Sequence, residues 1–479
     1  MSPRAIFLFG FCVTVLILII SELLPEETKV GALTFSSPDY RKWLSPDTVK
    51  YKDISAIIAS VDTTDFQLEL ETQPVHEHSE NAQTGSLDND RRISSENNYA
   101  FGYPAGQDTL LFPFFRALNQ MSHRNKPVRI LHYGDSQIEA DRITSTIRNH
   151  MHRNHGGQGI GLLPVVPVAD VAITFQQNVS PHWRRFSILD RNSEELQINN
   201  RFGISGNFVR FLPYNSEDTV AHIGLLPYYG GYRNVQTFTH VRLLYGQTQR
   251  PFTAVINQVN TQVLTAHNMV SSAWWRFEVP QNSFDLLLAS SDLPDLYGIT
   301  LDGERGVAVD NLPLRGSAGL DFSRMDTAQM AQIFNMMDVE MLILQFGANV
   351  VTNFFGNPDF YANRFARQLH LLKSLKPGLI IIVVSANDMS QNTPDGYKSY
   401  PNIDKIRDAQ RKAAFEAGCV FWDLYEAMGG ENSMPSWATA SPPLAQRDFV
   451  HFTVSGAKIV GELFCRAWTS EYQRFLNSR

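Results

Sequence analysis

A serine at position 136, an asparagine at 349 and an Asp-x-x-His pair at 448 and 451 are the side chains of this 479-residue chain whose types and spacing could do chemistry together. A serine hydroxyl becomes a nucleophile when an imidazole takes its proton, and the imidazole is oriented best by a carboxylate on its other ring nitrogen. Three-residue spacing lets Asp448 reach the ring of His451 within one turn, leaving the far nitrogen for Ser136. A side-chain amide such as that of Asn349 can donate to the negative charge that develops on a carbonyl oxygen under attack. Each fragment alone has a plainer reading. Gly134-Asp135-Ser136 could be a helix cap, an Asn after a strand is usually a turn residue, and an isolated Asp-x-x-His is commonly a surface or capping pair. Their joint occurrence in this order is far less expected by chance.

Such residues need a scaffold that brings distant segments to one edge. Val128 to Tyr133 is a β-rich run that ends in Gly134-Asp135-Ser136, and Ile138 to Met151 reads as a helix with Ile143, Ile147 and Met151 on one face. Met341 to Phe346 is an apolar run ending at Gly347-Ala348-Asn349, and Leu379 to Val384 and Cys419 to Asp423 read as further buried strands. Amphipathic helices are expected around Leu110 to Leu118, over Tyr361 to Lys373 and over Ala457 to Trp468. Apolar strands alternating with helices imply an α/β domain with a parallel sheet covered on both faces. Ligands and catalytic groups gather at the carboxyl ends of such strands, where Ser136 and Asn349 both fall. Ser385-Ala386-Asn387-Asp388 follows the next strand and competes with the Asn349 fragment, though without its leading glycine.

Between these parts, residues 165–302 have a different texture. Alternating runs such as Thr239 to Tyr245, Thr253 to Ile256, Trp274 to Val279 and Phe284 to Leu288 are separated by turn residues at short intervals, which predicts a β-sandwich insert. Trp183, Trp274, Trp275 and the Tyr228-Tyr229 pair there could stack on sugar rings or simply fill the insert's core. The α/β domain is therefore discontinuous, 105–164 and 303–479. Upstream, residues 25–104 read as a polar linker. Its stretch from Thr72 to Asn98 has almost no large apolar side chain, and a metal site at His76 and His78 is not expected. Residues 1–24 contain an uncharged run from Ala5 to Ile20 with no small-x-small cleavage site after it, which reads as an uncleaved signal anchor, with a cleaved signal peptide as the alternative.

Taken together, the blocks resemble the GDSL/SGNH hydrolase superfamily, whose markers are Ser, Gly, Asn and His. Here they are His132-Tyr133-Gly134-Asp135-Ser136, Phe346-Gly347-Ala348-Asn349 and Asp448-Phe449-Val450-His451, with Asp310-Asn311-Leu312-Pro313-Leu314-Arg315-Gly316 as the glycine block. The stretches Gly134 to Arg142, Gly156 to Gly161, Met428 to Met434 and Pro442 to Ala445 are similar to bacterial envelope esterases related to peptidoglycan O-acetylesterases. That resemblance implies a flavodoxin-like α/β/α fold with a carbohydrate-binding-like insert. It implies Ser136, Asp448 and His451 as catalytic residues, and an oxyanion hole from Ser136, Gly316 and Asn349, with Gly319 the runner-up for Gly316. The position after Asn349 is Val350, where many relatives have Asp.

The implied activity is removal of O-acetyl or another short acyl group from a cell-envelope glycan such as peptidoglycan or exopolysaccharide, in the periplasm or after secretion. A glycan O-acetyltransferase could use the same serine, and a catalytically inactive glycan-binding protein is a third reading. No cofactor or metal is called for. A net charge of −7, from 41 Lys and Arg against 48 Asp and Glu, offers no footprint for nucleic acid. Three cysteines, Cys12, Cys419 and Cys465, form no disulfide framework; the latter two read as core thiols, with a pairing possible if the chain is exported. His132 reads as a packing residue, and His150, His152 and His155 as a solvated helix end. Glu139, Asp141 and Arg142 are expected to cap, pair and position the helix after Ser136.

Overall fold

Alternate residues of five short strands go to two separate apolar layers, which makes a parallel sheet with helices on both sides. The computed structural model describes residues 49–61, 99–121, 124–167, 174–190, 200–213, 219–227, 231–232, 235–353 and 356–479, with residues 5, 7–9, 13–14, 27–30 and 33–36 of the amino-terminal segment. Cys12, His76, His78, the stretch from Thr72 to Asn98 and the Tyr228-Tyr229 pair lie outside the described residues. The chain divides into two units, Met1–Tyr51 with Gln391–Lys398, and Lys52–Ser390 with Ser399–Arg479. In the first, Glu27–Val30 pairs antiparallel with Leu33–Ser36. Among the described residues no helix is long and apolar enough to cross a membrane.

The second unit carries everything that follows. Its helices are α1 (Ser55–Ser60), α2 (Phe112–Asn119), α3 (Thr144–His155), α4 (Thr327–Met337), α5 (Ala348–Val351), α6 (Pro358–Ser374), α7 (Ile403–Glu416), α8 (Leu424–Ala427), α9 (Met434–Thr439) and α10 (Val454–Asn477). Strand β1 (Val128–Gly134) precedes eleven antiparallel strands: β2 (Gly161–Leu163), β3 (Phe175–Val179), β4 (Trp183–Ser187), β5 (Asn207–Phe211), β6 (Val220–Pro227), β7 (Phe238–Tyr245), β8 (Phe252–Ile256), β9 (Asn260–Leu264), β10 (Ser271–Gln281), β11 (Phe284–Ala289) and β12 (Leu296–Asp302). Four more follow: β13 (Val307–Pro313), β14 (Val339–Gln345), β15 (Ile380–Val384) and β16 (Val420–Trp422).

The parallel sheet runs β13-β1-β14-β15-β16. Leu131 and Tyr133 of β1, Leu342 and Leu344 of β14 and Ile381 and Val383 of β15 join one buried cluster with α4, α6 and α7. Ile130, Met341, Ile343, Ile382 and Val384 point the other way, into a cluster with α2, α3 and α10. The two-residue side-chain period of a strand produces both layers from one continuous apolar run, which is why these strands show no polar alternation. Cys419 and Cys465 are buried free thiols, and burial pushes the Cys419 thiol up to about 12.

The β-rich segment forms two antiparallel sheets, β9-β8-β11-β6-β3 and β10-β7-β12-β5-β4. Phe175, Ile223, Ala254 and Leu286 of the first share one buried cluster with Val209, Val241, Leu243 and Ile299 of the second. The segment starts earlier than residue 165, because β2 pairs antiparallel with β12 and draws Gly161 to Leu163 into it. Its edge with the parallel sheet is closed by an ion cluster: Arg129 on β1 bonds Asp310 on β13 at 2.6 Å and Asp302 on β12 at 2.5 Å, all three buried. Asp310 Oδ1 also accepts from the Leu162 amide at 3.0 Å, and a Cβ at position 161 would stand 2.1 Å from that oxygen, so Gly161 is required there.

The stretch read as polar linker contributes to the core. Ile54, Ile57 and Val61, in and around α1, are buried in the same cluster as Met428, Met434 and Trp437. Three apolar residues at helical spacing suffice for this, and the polar composition around them masks it.

Candidate active site

Strand β1 ends at Gly134, and the next residue sets the geometry of the whole edge. Asp135 is buried; its Oδ1 accepts from the Gln137 amide at 3.0 Å, and its Oδ2 accepts from the amides of Gly347 and Ala348, both at 3.1 Å. One carboxylate thus ties the serine loop to the turn that starts α5, placing Ser136 and Asn349 at neighbouring strand ends. Burial pushes the Asp135 carboxyl above the usual range while these amide donors pull it down. Nothing local in the sequence shows this role for Asp135, since Gly347 and Ala348 are over 200 positions away.

The helix expected over Ile138 to Met151 does not begin there. Glu139 to Asp141 makes one 3-10 turn, Ala140 and Asp141 have φ of 58° and 64°, and α3 starts only at Thr144. Arg142 explains the break. Its guanidinium donates to the carbonyls of Ser136, Glu139 (2.9 Å) and Phe452 (3.2 Å), and the Ser136 carbonyl also accepts from the Glu139 amide at 3.4 Å, a 3-10 rather than an α-helical bond. Asp141 turns inward to the buried Arg148, at 2.6 and 3.0 Å. Of the three charged residues expected to cap, pair and position this helix, Asp141 pairs and Arg142 positions, but no side chain caps α3.

Ser136 Oγ lies 2.8 Å from His451 Nε2, and His451 Nδ1 lies 2.7 Å from Asp448 Oδ2. The other carboxylate oxygen of Asp448 accepts from the amides of Val450 (2.9 Å) and His451 (3.0 Å). Burial opposes ionisation of Asp448, but those two amides and the imidazole outweigh it and hold the carboxyl below its ordinary value. An ionised carboxylate can only accept, so Nδ1 carries the proton and Nε2 is the acceptor facing the serine hydroxyl. Thr453 fixes where α10 begins: its Oγ1 accepts from the Gly456 amide at 3.2 Å, leaving His451 in the loop just ahead of the helix.

Asn349 and Gly316 come together as well. Asn349 Nδ2 donates to the Ser317 carbonyl at 3.1 Å, and the Leu314 amide donates to the Gly134 carbonyl at 2.7 Å, docking the loop after β13 on the end of β1. Gly316 has φ of +89° and open space where a Cβ would be. Gly319 is different: its amide already donates to Ser317 Oγ at 3.0 Å, and a Cβ there would press on Phe346 and Phe365. Asn387, the competitor of Asn349, is buried and turned toward the main chain of Asp388 and Val450.

Two further histidines, His132 and His152, are buried. His132 is buried between Gln345 Oε1 (3.2 Å) and Thr144 Oγ1 (2.9 Å), and burial lowers it to about 3, keeping a neutral packing ring. His152 departs from the solvated-end expectation: it is buried because the chain folds back over it at Gly157, and burial lowers it to about 4. No group of three or more His, Cys, Asp or Glu among the described residues could hold a metal ion. Trp275 is buried in the β-rich core and Trp183 packs on Phe211, whereas Trp274 is 42% exposed with the Arg242 guanidinium 3.5 Å over its ring.

Behind the edge, Asp388 is buried and accepts from Ser399 Oγ (2.6 Å), Ser433 Oγ (3.3 Å) and the Met434 amide (2.7 Å). Burial nevertheless raises its carboxyl from 3.8 to about 6. The folded chain then binds more protons than the unfolded one between those values, so this group makes stability fall as pH rises through that window. Asp388→Asn is expected to flatten the decline, and melting curves at about pH 4 and about pH 7 measure it as a smaller difference in Tm than in the wild type.

No family model and no curated protein matches the chain. Among solved structures, that of a peptidoglycan O-acetylesterase aligns with 18% identity and a TM-score of 0.60, covering 78% of this chain and 99% of that one. The two share a fold. A family two carbohydrate esterase from Clostridium thermocellum aligns over 54% of this chain and 92% of its own at 8% identity, with a TM-score of 0.25, too loose to bear on the fold.

Proposed function

We propose that this chain, which resembles SGNH hydrolases in its sequence blocks and shares the fold of a peptidoglycan O-acetylesterase, is a serine esterase that removes O-acetyl or other short acyl groups from a cell-envelope glycan. The observation that carries the proposal is the hydrogen-bonded line Ser136–His451–Asp448, assembled from segments 315 positions apart in the chain.

In this reading His451 Nε2 takes the proton as Ser136 Oγ attacks the ester carbonyl, and Asp448 stabilises the imidazolium. The amides of Ser136 and Gly316 and the side chain of Asn349 hold the tetrahedral oxyanion. His451 returns the proton to the departing glycan hydroxyl, which leaves an acyl group on Ser136. A water, deprotonated by the same imidazole, then attacks that ester; His451 returns the proton to Ser136 Oγ as its bond to the acyl carbon breaks, and the acid leaves and ionises. His451 and Asp448 side chains are 28% and 44% exposed, so the line ends at an open surface suited to a polymer.

The same reading makes the parallel sheet and its helices a flavodoxin-like α/β/α enzyme. The paired antiparallel sheets are a β-sandwich that holds glycan beside it. Residues 1–24 are the membrane anchor, and the enzyme works in the envelope. The test is acetate release from O-acetylated peptidoglycan and from an O-acetylated exopolysaccharide, with no acceptor added. Release from either supports the esterase, and the faster one names the glycan. Transfer to an added sugar without release in its absence would instead support an acetyltransferase.

A further inference from the structure

The main chain on both sides of His451 is gripped by two buried carboxamides that the reaction itself does not use. Gln137 Nε2 donates to the Val450 carbonyl at 2.7 Å, and Asn387 Nδ2 donates to the same oxygen at 3.1 Å. Two lone pairs are thereby filled. Gln137 Oε1 faces the Phe452 amide at 3.4 Å, so one side chain holds the carbonyl before the histidine and the N–H after it. The two amides also bond each other, Gln137 Nε2 to Asn387 Oδ1 at 3.2 Å, and each residue is 2% exposed.

The loop they hold would not keep this shape alone. Phe449 has φ of 56°, a left-handed conformation that costs a bulky residue free energy and persists only where the surroundings enforce it. Asp448 restrains the loop from inside, through the Val450 and His451 amides. Gln137 and Asn387 restrain it from outside. Gln137 directly follows the serine, and its own amide is held by Asp135, so the grip ties His451 to the strand end that presents Ser136.

We propose that Gln137 and Asn387 form a carboxamide clamp that positions His451 for proton transfer with Ser136. Both are positioning residues, and the proposal rests on the serine-esterase reading above. A buried amide pair of this kind has high stakes: fully satisfied it specifies one geometry, and half-removed it leaves polar groups unpaired. A displacement of about 1 Å at a reacting group costs on the order of 10²-fold in rate.

The full chain as Gln137→Ala, Gln137→Met and Asn387→Ser is to be assayed with 4-nitrophenyl acetate, alongside melting curves and the low-field proton resonance of the imidazole Nδ1–H. The expected result is kcat lower by about 10²-fold with KM within about threefold, and a weakened Nδ1–H signal well below the melting temperature. Gln137→Met keeps the volume and decides the matter if the alanine variant does not fold. Folded variants with wild-type kcat and an intact resonance overturn the clamp. Equal rates for wild type and Ser136→Ala would sink the esterase reading instead; the resonance then tests the clamp by itself, its loss supporting the positioning role and its persistence refuting it.

Discussion

Ser136→Ala is expected to lower turnover of a small acetyl ester by about 10⁴-fold or more and to leave the melting temperature within the range of an ordinary surface change. The two halves of this expectation have separate causes. In the proposed mechanism Oγ is the atom that forms the acyl bond, and it lies 2.8 Å from His451 Nε2. The residual rate comes from the oxyanion donors, which still polarise the carbonyl for attack by water. Stability is spared because Ser136 is only half-buried and the imidazole it releases remains accessible to solvent. Steady-state kinetics, with covalent labelling by a fluorophosphonate, measures the effect. Retained hydrolysis in the variant would remove Ser136 from the mechanism.

The second large effect concerns the fold. Arg129→Met is expected to cost about 3–5 kcal/mol of unfolding free energy, because it leaves two buried carboxylates without their cation. Asp302 and Asp310 are 2% and 0% exposed, and each is bonded directly to the guanidinium. Burial already pushes the Asp310 carboxyl up, with Arg129 as the main opposing influence. Without the arginine the Asp310 carboxyl rises further and the folded chain takes up a proton there, so the deficit should shrink as pH falls toward its raised value. Denaturant titration reads the loss as a lower midpoint. Adding Asp302→Asn and Asp310→Asn to Arg129→Met should restore much of it, since the penalty lies in uncompensated charge. An unchanged midpoint in the single variant would show that the cluster carries no such load.

These expectations depend on features of unequal visibility in the sequence. Strands β14 and β15 were legible to within two residues because a strand buried on both faces is a continuous apolar run bounded by glycine or small residues. Asp448 and His451 were legible because their pairing is local. Asn349 was nominated by its place after an apolar strand, whereas Gly316 required the motif blocks, since a glycine in a loop is a common turn residue. The helix break at Ala140 was not legible: left-handed φ at an alanine arises from Arg142 reaching the carbonyls of Ser136 and Phe452, a tertiary cause. Asp135, Gln137 and Asn387 stayed hidden for the same reason. Most of their partners are backbone groups, which leave no mark on residue type. Ile54, Ile57 and Val61 show the opposite failure, where a polar average concealed three residues that pack.

The order of strands also decides how the molecule must come into being. Strand β1 pairs with β13 and β14, both of which follow the β-rich segment, and 181 positions separate Arg129 from its partner Asp310. A chain that leaves the ribosome from its amino end presents the apolar row Val128 to Tyr133 long before any strand exists to cover its flanks. The antiparallel sheets can pair among themselves in the meantime, since their contacts are nearer in sequence. Closing so long a loop costs only modestly more than closing a short one, about 0.6 kcal/mol per doubling, but non-local parallel pairing is slow. Newly made β1 is therefore a segment in need of protection from other unfolded chains, and Ser136 is carried into place beside His451 only after most of the protein has been synthesised.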